Sequence, residues 1–346
     1  MNIFSIRGIF VLVLTTLCSC YQTSITLDEM EGDGTAENPF LVTNEQQLRL
    51  VGRYPEKGFS LKAHYRQTTD IALGNAAWER IGDSGHAGTA NADPYIPDNY
   101  FSGTYDGGGH TISNFNYHET ITFNGGTSNS IGHGMFGAVG NGGVVKNLTV
   151  IGDLEVDYVL GRGAATGQIR NTGGVVGFLD GGTVRNVAFK GRVKAGDEDS
   201  SVPTDNGNNG RRIGARVGGV VGYLYAPTAT NNTGINAGNI VEDCRFEGTV
   251  IAYLQVGGVV GHLENDLTDR GTKVSGCSYD PGDGGFIQGN RRVGLVIGNL
   301  AANTTAENLS TTGSMALNRK LVGIDPSSNS TSYNGMIGNI GGIYIP

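Results

Sequence analysis

Few residues in this chain have types and spacings that could do chemistry. His118-Glu119 begins like the His-Glu-x-x-His helix of zinc peptidases, which sets two ligands one turn apart with a base between them. Thr120-Ile121-Thr122 follows, with no second ligand and in strand-like sequence. Gly132-His133-Gly134 has the shape of a glycosidase motif. Inverting glycoside hydrolysis needs two carboxylates about 6.5–9.5 Å apart, and the strand-bearing segment before this motif holds no Asp-Asp pair. A turn entering the next strand accounts for the same residues. Asp197-Glu198-Asp199 and Asp205-Asn206-Gly207-Asn208-Asn209 carry oxygen ligands that suit Ca²⁺. They lack the ordered spacing of an EF-hand or a nonapeptide calcium repeat, which favours a solvated loop. A serine nucleophile elbow, a P-loop and a dinucleotide motif are each missing from their required contexts. These residues point away from an enzyme and toward a protein with no cofactor and no metal.

The elements around them repeat. Gly134–Val139, Gly173–Leu179, Gly218–Leu224, Gly257–Leu263 and Gly294–Leu300 are near copies of Gly-Gly-Val-Val-Gly-x-Leu. Units spaced in this way cannot bury their apolar faces alone and must stack on neighbours. A second phrase follows each copy: Val145–Val150, Val184–Phe189, Val241–Phe246, Val274–Tyr279 and Ala306–Thr311, with an earlier outlier at Ile112–Tyr117. Its last three residues alternate apolar, variable, apolar (Thr311 excepted), the period of a half-buried strand. The Asn, Asp or Gly just before them tolerates left-handed backbone and marks a bend. Gly152, Gly191, Gly248 and Gly313 suggest another corner. Short strands between fixed corners give an all-β, right-handed β-solenoid. The 58 glycines in 346 residues have no three-residue period, which excludes collagen.

Within the Gly-Val-Val-Gly strand, the position of Val176 is apolar in every copy. The later position, Ala138, Phe178, Tyr223, His262 and Asn299, varies more and reads as partly solvent-facing. Phe178, Tyr223 and His262 therefore form a candidate ligand-contact stripe, since aromatic side chains offer large contact area with a polar handle. Packing beneath an insertion would explain the same column. The insertions 83–99, 152–172, 194–217 and 225–239 interrupt otherwise short connections, and long structureless loops are either functional or disordered.

The N-terminus carries an address. Arg7, the apolar run 9–17 and small residues after it form a signal-peptide pattern too short to span a membrane. Leu17-Cys18-Ser19-Cys20 matches a bacterial lipobox, which makes Cys20 the lipidated residue. Tyr21 after it is consistent with export to the outer membrane. The acidic stretch to Gly34 then reads as a tether. With Cys18 removed and Cys20 acylated, Cys244 and Cys277 remain, at the same slot of consecutive repeats. Coils about 4.7–4.9 Å apart put a disulfide within reach, but two buried thiols are the favoured state. A formal net charge of −8 argues against nucleic-acid binding.

Thr43-Asn44-Glu45-Gln46 fits a helix-start capping box, with Thr43 as the cap and a short helix to Val51. Such a helix would cover the first coil's open edge. From Gly32-Asp33-Gly34-Thr35 through the segment Asp70–Gly82, the run Phe101–Phe115 and the later paired phrases, the chain resembles the GLUG-motif proteins. Related repeats occur in bacterial surface proteins and in the non-catalytic region of IgA-specific metallopeptidases. The resemblance implies a right-handed β-solenoid on a cell surface, discussed as adhesive; it brings no assigned binding residue and does not account for the long insertions.

The expected organisation is a lipoprotein signal peptide over 1–19 and a lipidated acidic tether over 20–31. An N-terminal cap and first coils follow over 32–125, then GLUG-type repeats with insertion loops over 126–315 and closing strands over 316–346. The expected function is a non-catalytic adhesin or ligand-binding protein. It would be lipid-anchored and surface-exposed on a bacterial outer membrane, and would meet a glycan, a matrix component or a host surface protein. The membrane would be touched through the anchor alone, and nucleic acid not at all. The alternatives are a polysaccharide-degrading β-helix enzyme and a purely structural component of a surface assembly.

Overall fold

A computed structural model describes residues 29–83, 99–123, 132–160, 169–196, 201–202, 211–212, 214–225, 238–252, 254–264, 271–289, 291–311, 335–338 and 343–345. The chain winds through three parallel sheets as a right-handed β-solenoid. One broad sheet has fifteen strands, and two narrower sheets have five each. A representative turn runs through Ile169–Gly173 in one narrow sheet, Val176–Asp180 in the other and Thr183–Ala195 in the broad sheet. A separate antiparallel ribbon pairs Ser201–Val202 with Arg211–Arg212.

The copies stack residue on residue. Val176 pairs with Phe136 on one side and Val221 on the other, followed by Val260 and Ile297. In the broad sheet Val184 stacks between Val145 and Val241. Buried rings of successive coils lie nearly parallel: Phe189 and Phe246 have centroids 6.1 Å apart at 15°, and Phe246 and Tyr279 are 5.9 Å apart at 12°.

Two columns of backbone geometry make the corners. Asn147, Asn186, Asp243 and Asn308 hold left-handed φ values of 53°, 51°, 53° and 52°, with Gly276 at 62° in the same slot. The Asn186 amide donates to Asn147 Oδ1 at 2.9 Å, and the Asn147 amide donates to Asp106 Oδ1 at 3.0 Å. The second column is Gly152, Gly191 and Gly248, at φ 156°, 137° and 132°. A Cβ at Gly191 would lie 1.9 Å from the Gly152 carbonyl oxygen, so glycine is required there by space as well as by φ.

Four expectations need correction. The helix Glu45–Leu50 is capped by Asn44, whose side chain accepts from the Gln47 amide at 2.9 Å; Thr43 instead donates its N–H and hydroxyl to Gln47 Oε1. The outlier at Ile112 lies out of frame: Ile112 pairs with Val150, whereas Tyr105 and Asp106 take the places opposite Val145 and Lys146. Its Asn114 bend falls where the register shifts, and Phe115 comes opposite Gly152. The stretches 152–172 and 194–217 are not all loop: in the first, one strand continues to Leu160 and the next begins at Ile169; in the second, strands end at Ala195 and begin at Gly214, with the Ser201–Val202 and Arg211–Arg212 ribbon between. The alternation of Leu154, Val156 and Tyr158 carried that signal in the first. Finally, Phe178, Tyr223 and His262 are buried rather than solvent-facing.

Their burial has a geometric cause. A Cβ at Gly177, Gly222 or Gly261 would lie 2.3–2.5 Å from the backbone nitrogen of His133, Thr172 or Val217. The two narrow sheets thus meet backbone against backbone. Beside this crossing the Arg216 guanidinium sits 3.7 Å from the Tyr223 ring centroid. Phe178, Tyr223, Tyr100 and Ala138 then close into a second small core, with Tyr225 packed against it.

Cys244 and Cys277 occupy the shared core slot as free, buried thiols, each donating to the backbone carbonyl two residues before it. Strand Ile343–Ile345 pairs in parallel with Thr305–Glu307 and adds a further rung to the broad sheet.

Candidate functional site

Strands Phe40–Val42 and His64–Gln67 make the opening rungs of the broad sheet, and the first coil that passes through all three sheets differs from the later ones along one inner edge. Strand Thr111–Phe123 carries Phe115, Tyr117 and Glu119 on one face by the two-residue period of a strand. Phe115 and Tyr117 are buried, so Glu119 is aimed inward with them. Strand Gly132–His133 brings His133 in from the third side of the coil, wholly buried. Arg80 reaches the same point from the Trp78–Asp83 segment.

These groups converge on one oxygen. Glu119 Oε2 accepts from the Tyr117 hydroxyl, lies 3.1 Å from His133 Nδ1, and accepts from Arg80 Nη1 at 3.2 Å. The Tyr117 oxygen is 3.2 Å from His133 Nδ1, and Arg80 Nη2 donates to Asp83 Oδ2 at 2.9 Å. A carboxylate only accepts, so His133 Nδ1 must carry the proton and its Nε2 is left as an acceptor. That Nε2 is buried without a hydrogen-bond partner.

The electrostatics follow from these contacts. The His133 hydrogen bond holds the Glu119 pKa at about 2, against the opposing effect of burial, with Tyr117 and Arg80 adding to the depression. Burial pushes His133 below its ordinary value, more strongly than Glu119 raises it. Burial pushes the Tyr117 phenol up, and its hydrogen bond to Glu119 adds to this. For Arg80, burial is outweighed by Asp83 and Tyr117, so its guanidinium keeps its proton more firmly than usual. Near neutral pH the assembly is a fixed carboxylate, a protonated arginine, a neutral imidazole and a neutral phenol.

This network forms one wall of an open recess of about 500 Å³. The other walls come from Gly52, Arg53 and Leu61, and from Trp78 to Asp83. Arg53 is anchored by donating Nη2 to the Glu79 and Arg80 carbonyls, at 2.6 and 3.0 Å. Trp78 donates Nε1 to the Met135 carbonyl at 3.1 Å, which fixes the indole in the floor.

The structure thus joins residues that the sequence offered separately. Glu119 of the incomplete zinc motif and His133 of the Gly-His-Gly run touch each other, without a metal-ligand set. Among the described residues no group of three or more His, Cys, Asp or Glu is placed to hold a metal ion. Nothing in the sequence linked Arg80 to either. The expected contact stripe lies elsewhere, in the second small core. There the His262 ring stacks on Tyr223 with centroids 5.4 Å apart, and its Nδ1 is 2.6 Å from Asn299 Nδ2. Burial, then Arg216 and Arg292, keep its pKa far below the usual value. Cys20 and the acidic clusters at 197–199 and 205–209 lie outside the described residues. Among the described residues no helix is long and apolar enough to cross a membrane.

No known family's sequence profile matches the chain, so the likeness to GLUG-motif proteins rests on the motifs quoted above. Over 155 residues, 43% of the chain, it is 31% identical to a Gly-rich membrane protein of Evansella cellulosilytica. Over 166 residues, 48% of the chain, it is 32% identical to Halomucin of Haloquadratum walsbyi. The matches span only 15% and 2% of those proteins' lengths. Among solved structures, an immunoglobulin A1 protease from Bacteroides ovatus aligns over 91% of this chain and 86% of its own, with TM-score 0.37 and 13% identity. An IgA1 protease aligns over 88% of this chain and 21% of its own, with TM-score 0.39 and 13% identity.

Proposed function

We propose that the protein is a non-catalytic, ligand-binding β-solenoid that works as an adhesin, held on the outside of a bacterial outer membrane by lipid on Cys20. One observation carries the binding part of this reading: the recess is preformed, and its central groups are held in place by one another. The shared Glu119 oxygen is occupied by three donors, Tyr117 and Arg80 hold their protons firmly, and His133 is sealed from solvent. A general acid or base needs a pKa near the working pH and reach to the substrate. Glu119 at about 2 does not meet the first condition. A rigid wall of fixed charges instead suits recognition, because little ordering is left to be done on binding. The lipobox and signal pattern support the anchor, and a matched relative described as a membrane protein agrees with it.

The test is a screen of the full chain against glycans, matrix proteins and host surface proteins. Retained adhesion without release of fragments is expected. Release of reducing ends from a polysaccharide would make it an enzyme. Assembly into surface structures with no bound ligand would favour a purely architectural role. For the anchor, Cys20→Ala should leave the protein unacylated, and an unchanged mature mass would refute it.

A further inference from the structure

We infer that the recess between cap and first coil takes a neutral, hydroxyl-rich saccharide, and that Glu79 and Glu119 are its hydrogen-bond acceptors. This rests on the reading of the protein as a ligand-binding solenoid and names the class of ligand. Four observations lead there.

The first is size. At about 500 Å³ the recess lies in the range of small-ligand sites and holds one or two sugar rings. The second is charge. Arg53 and Arg80 face Glu79, Asp83 and Glu119, so two positive charges meet three negative ones. Both guanidinium groups are also engaged already, Arg53 by Glu79 and two carbonyls, Arg80 by Asp83 and Glu119. An anionic ligand would meet a net negative wall with no uncommitted arginine, which disfavours sialylated or sulfated glycans.

The third is the acceptors left over. Every contact of Glu119 within the network falls on Oε2, and Glu119 lines the recess with its side chain 38% exposed, which leaves Oε1 as an acceptor. Glu79 stands at the lip with its side chain 78% exposed. Ionised carboxylates that only accept are matched by a ligand rich in hydroxyl donors. The fourth is the floor. Half-buried Leu61, with the edges of the buried Trp78 and Tyr117, gives a small apolar surface beside these acceptors, and a sugar ring presents C–H faces next to hydroxyl edges. A purely apolar ligand would strand the carboxylates, and an anion would oppose them.

The experiment uses the full chain on an array of neutral, sialylated and sulfated glycans, followed by titration with the strongest neutral oligosaccharide. Glu79→Ala is the safe variant, since Glu79 lies outside the buried network. Glu119→Gln keeps the shape and removes the charge. The expected result is binding of neutral glycans, weakened at least about tenfold by Glu79→Ala and by Glu119→Gln, with no gain from added sialate or sulfate. A preference for anionic glycans, or neutral-glycan affinity unchanged in both variants, would overturn the inference. Adhesion to a matrix or host protein with no glycan bound would overturn it while leaving the adhesin reading intact. No binding to anything would remove both.

Discussion

The first coil and the later coils are built on the same columns, and they fill them with opposite chemistry. Glu119 stacks on Val156, then Ala195 and Ala252. His133 stacks on Thr172, then Val217, Val256 and Val293. Tyr117 stacks on Leu154, Val193, Val250 and Ile287. The later coils bury aliphatic side chains almost throughout these columns. The first coil places a carboxylate, an imidazole and a phenol there, with Arg80 coming from outside the repeat to join them. A solenoid tolerates polar groups in its core only where each finds a partner. At this coil the Glu119 oxygen gathers three donors, and the recess opens beside it. The repeating frame is scaffold, and the candidate site lies where the chain departs from it.

The comparison can be tested most severely through what both regions share. Gly191→Ala would drive a Cβ to 1.9 Å from the Gly152 carbonyl oxygen at φ 137°. It should cost more than about 4 kcal/mol or prevent folding, as read by urea denaturation. Next comes a transplant. Val156→Glu puts the first coil's carboxylate one coil further on, at a fully buried position directly against Glu119. A loss of about 3–4 kcal/mol is expected, and a near-neutral result would mean that the first coil's network is not special.

The network itself should show a smaller effect, because Glu119 is 38% exposed. Glu119→Ala should cost about 1–2 kcal/mol after allowance for solvent screening. The double change Glu119→Val with His133→Val, which copies the later coils, should cost less than Glu119→Ala alone. The acid limb sharpens this. Glu119 is depressed from 4.5 to about 2, so its contribution is whole above pH 4.5 and is lost as pH falls toward 2. His133 is depressed below 6.5, so the unfolded chain takes up its proton first and stability begins to decline under pH 6.5. Stability against pH should therefore lose its lower step in Glu119→Gln and its upper step in His133→Val. The mildest change is Asn186→Ala, which removes the hydrogen bond donated to Asn147 Oδ1 at a left-handed φ of 51°. It should cost about 1 kcal/mol, and Asn186→Gly should recover part of that.

Much of this was legible from residue types. The left-handed bends were announced by Asn147, Asn186 and Asp243, and the tight corners by Gly152, Gly191 and Gly248, because few other residues tolerate those conformations. The shared slot of Cys244 and Cys277 followed from the frame. The out-of-frame phrase at Ile112 was misleading, since its Asn114 belongs to the other corner and only the pairing with Val150 reveals it. The column through Phe178, Tyr223 and His262 was misplaced because local alternation says which side a residue faces, not what lies opposite. The last glycine of these phrases, as at Gly177, Gly222, Gly261 and Gly298, lets another sheet's backbone come to that face.

The sequence by itself determined the repeat, its corners and the solenoid that they impose, because these depend on backbone freedom and on a periodicity carried within each copy. Only the tertiary structure decided that Arg80, Tyr117, Glu119 and His133 share one point, and that the aromatic column is core. Contacts between the three sides of a coil depend on how the sheets close against each other, and no spacing along the chain records that distance.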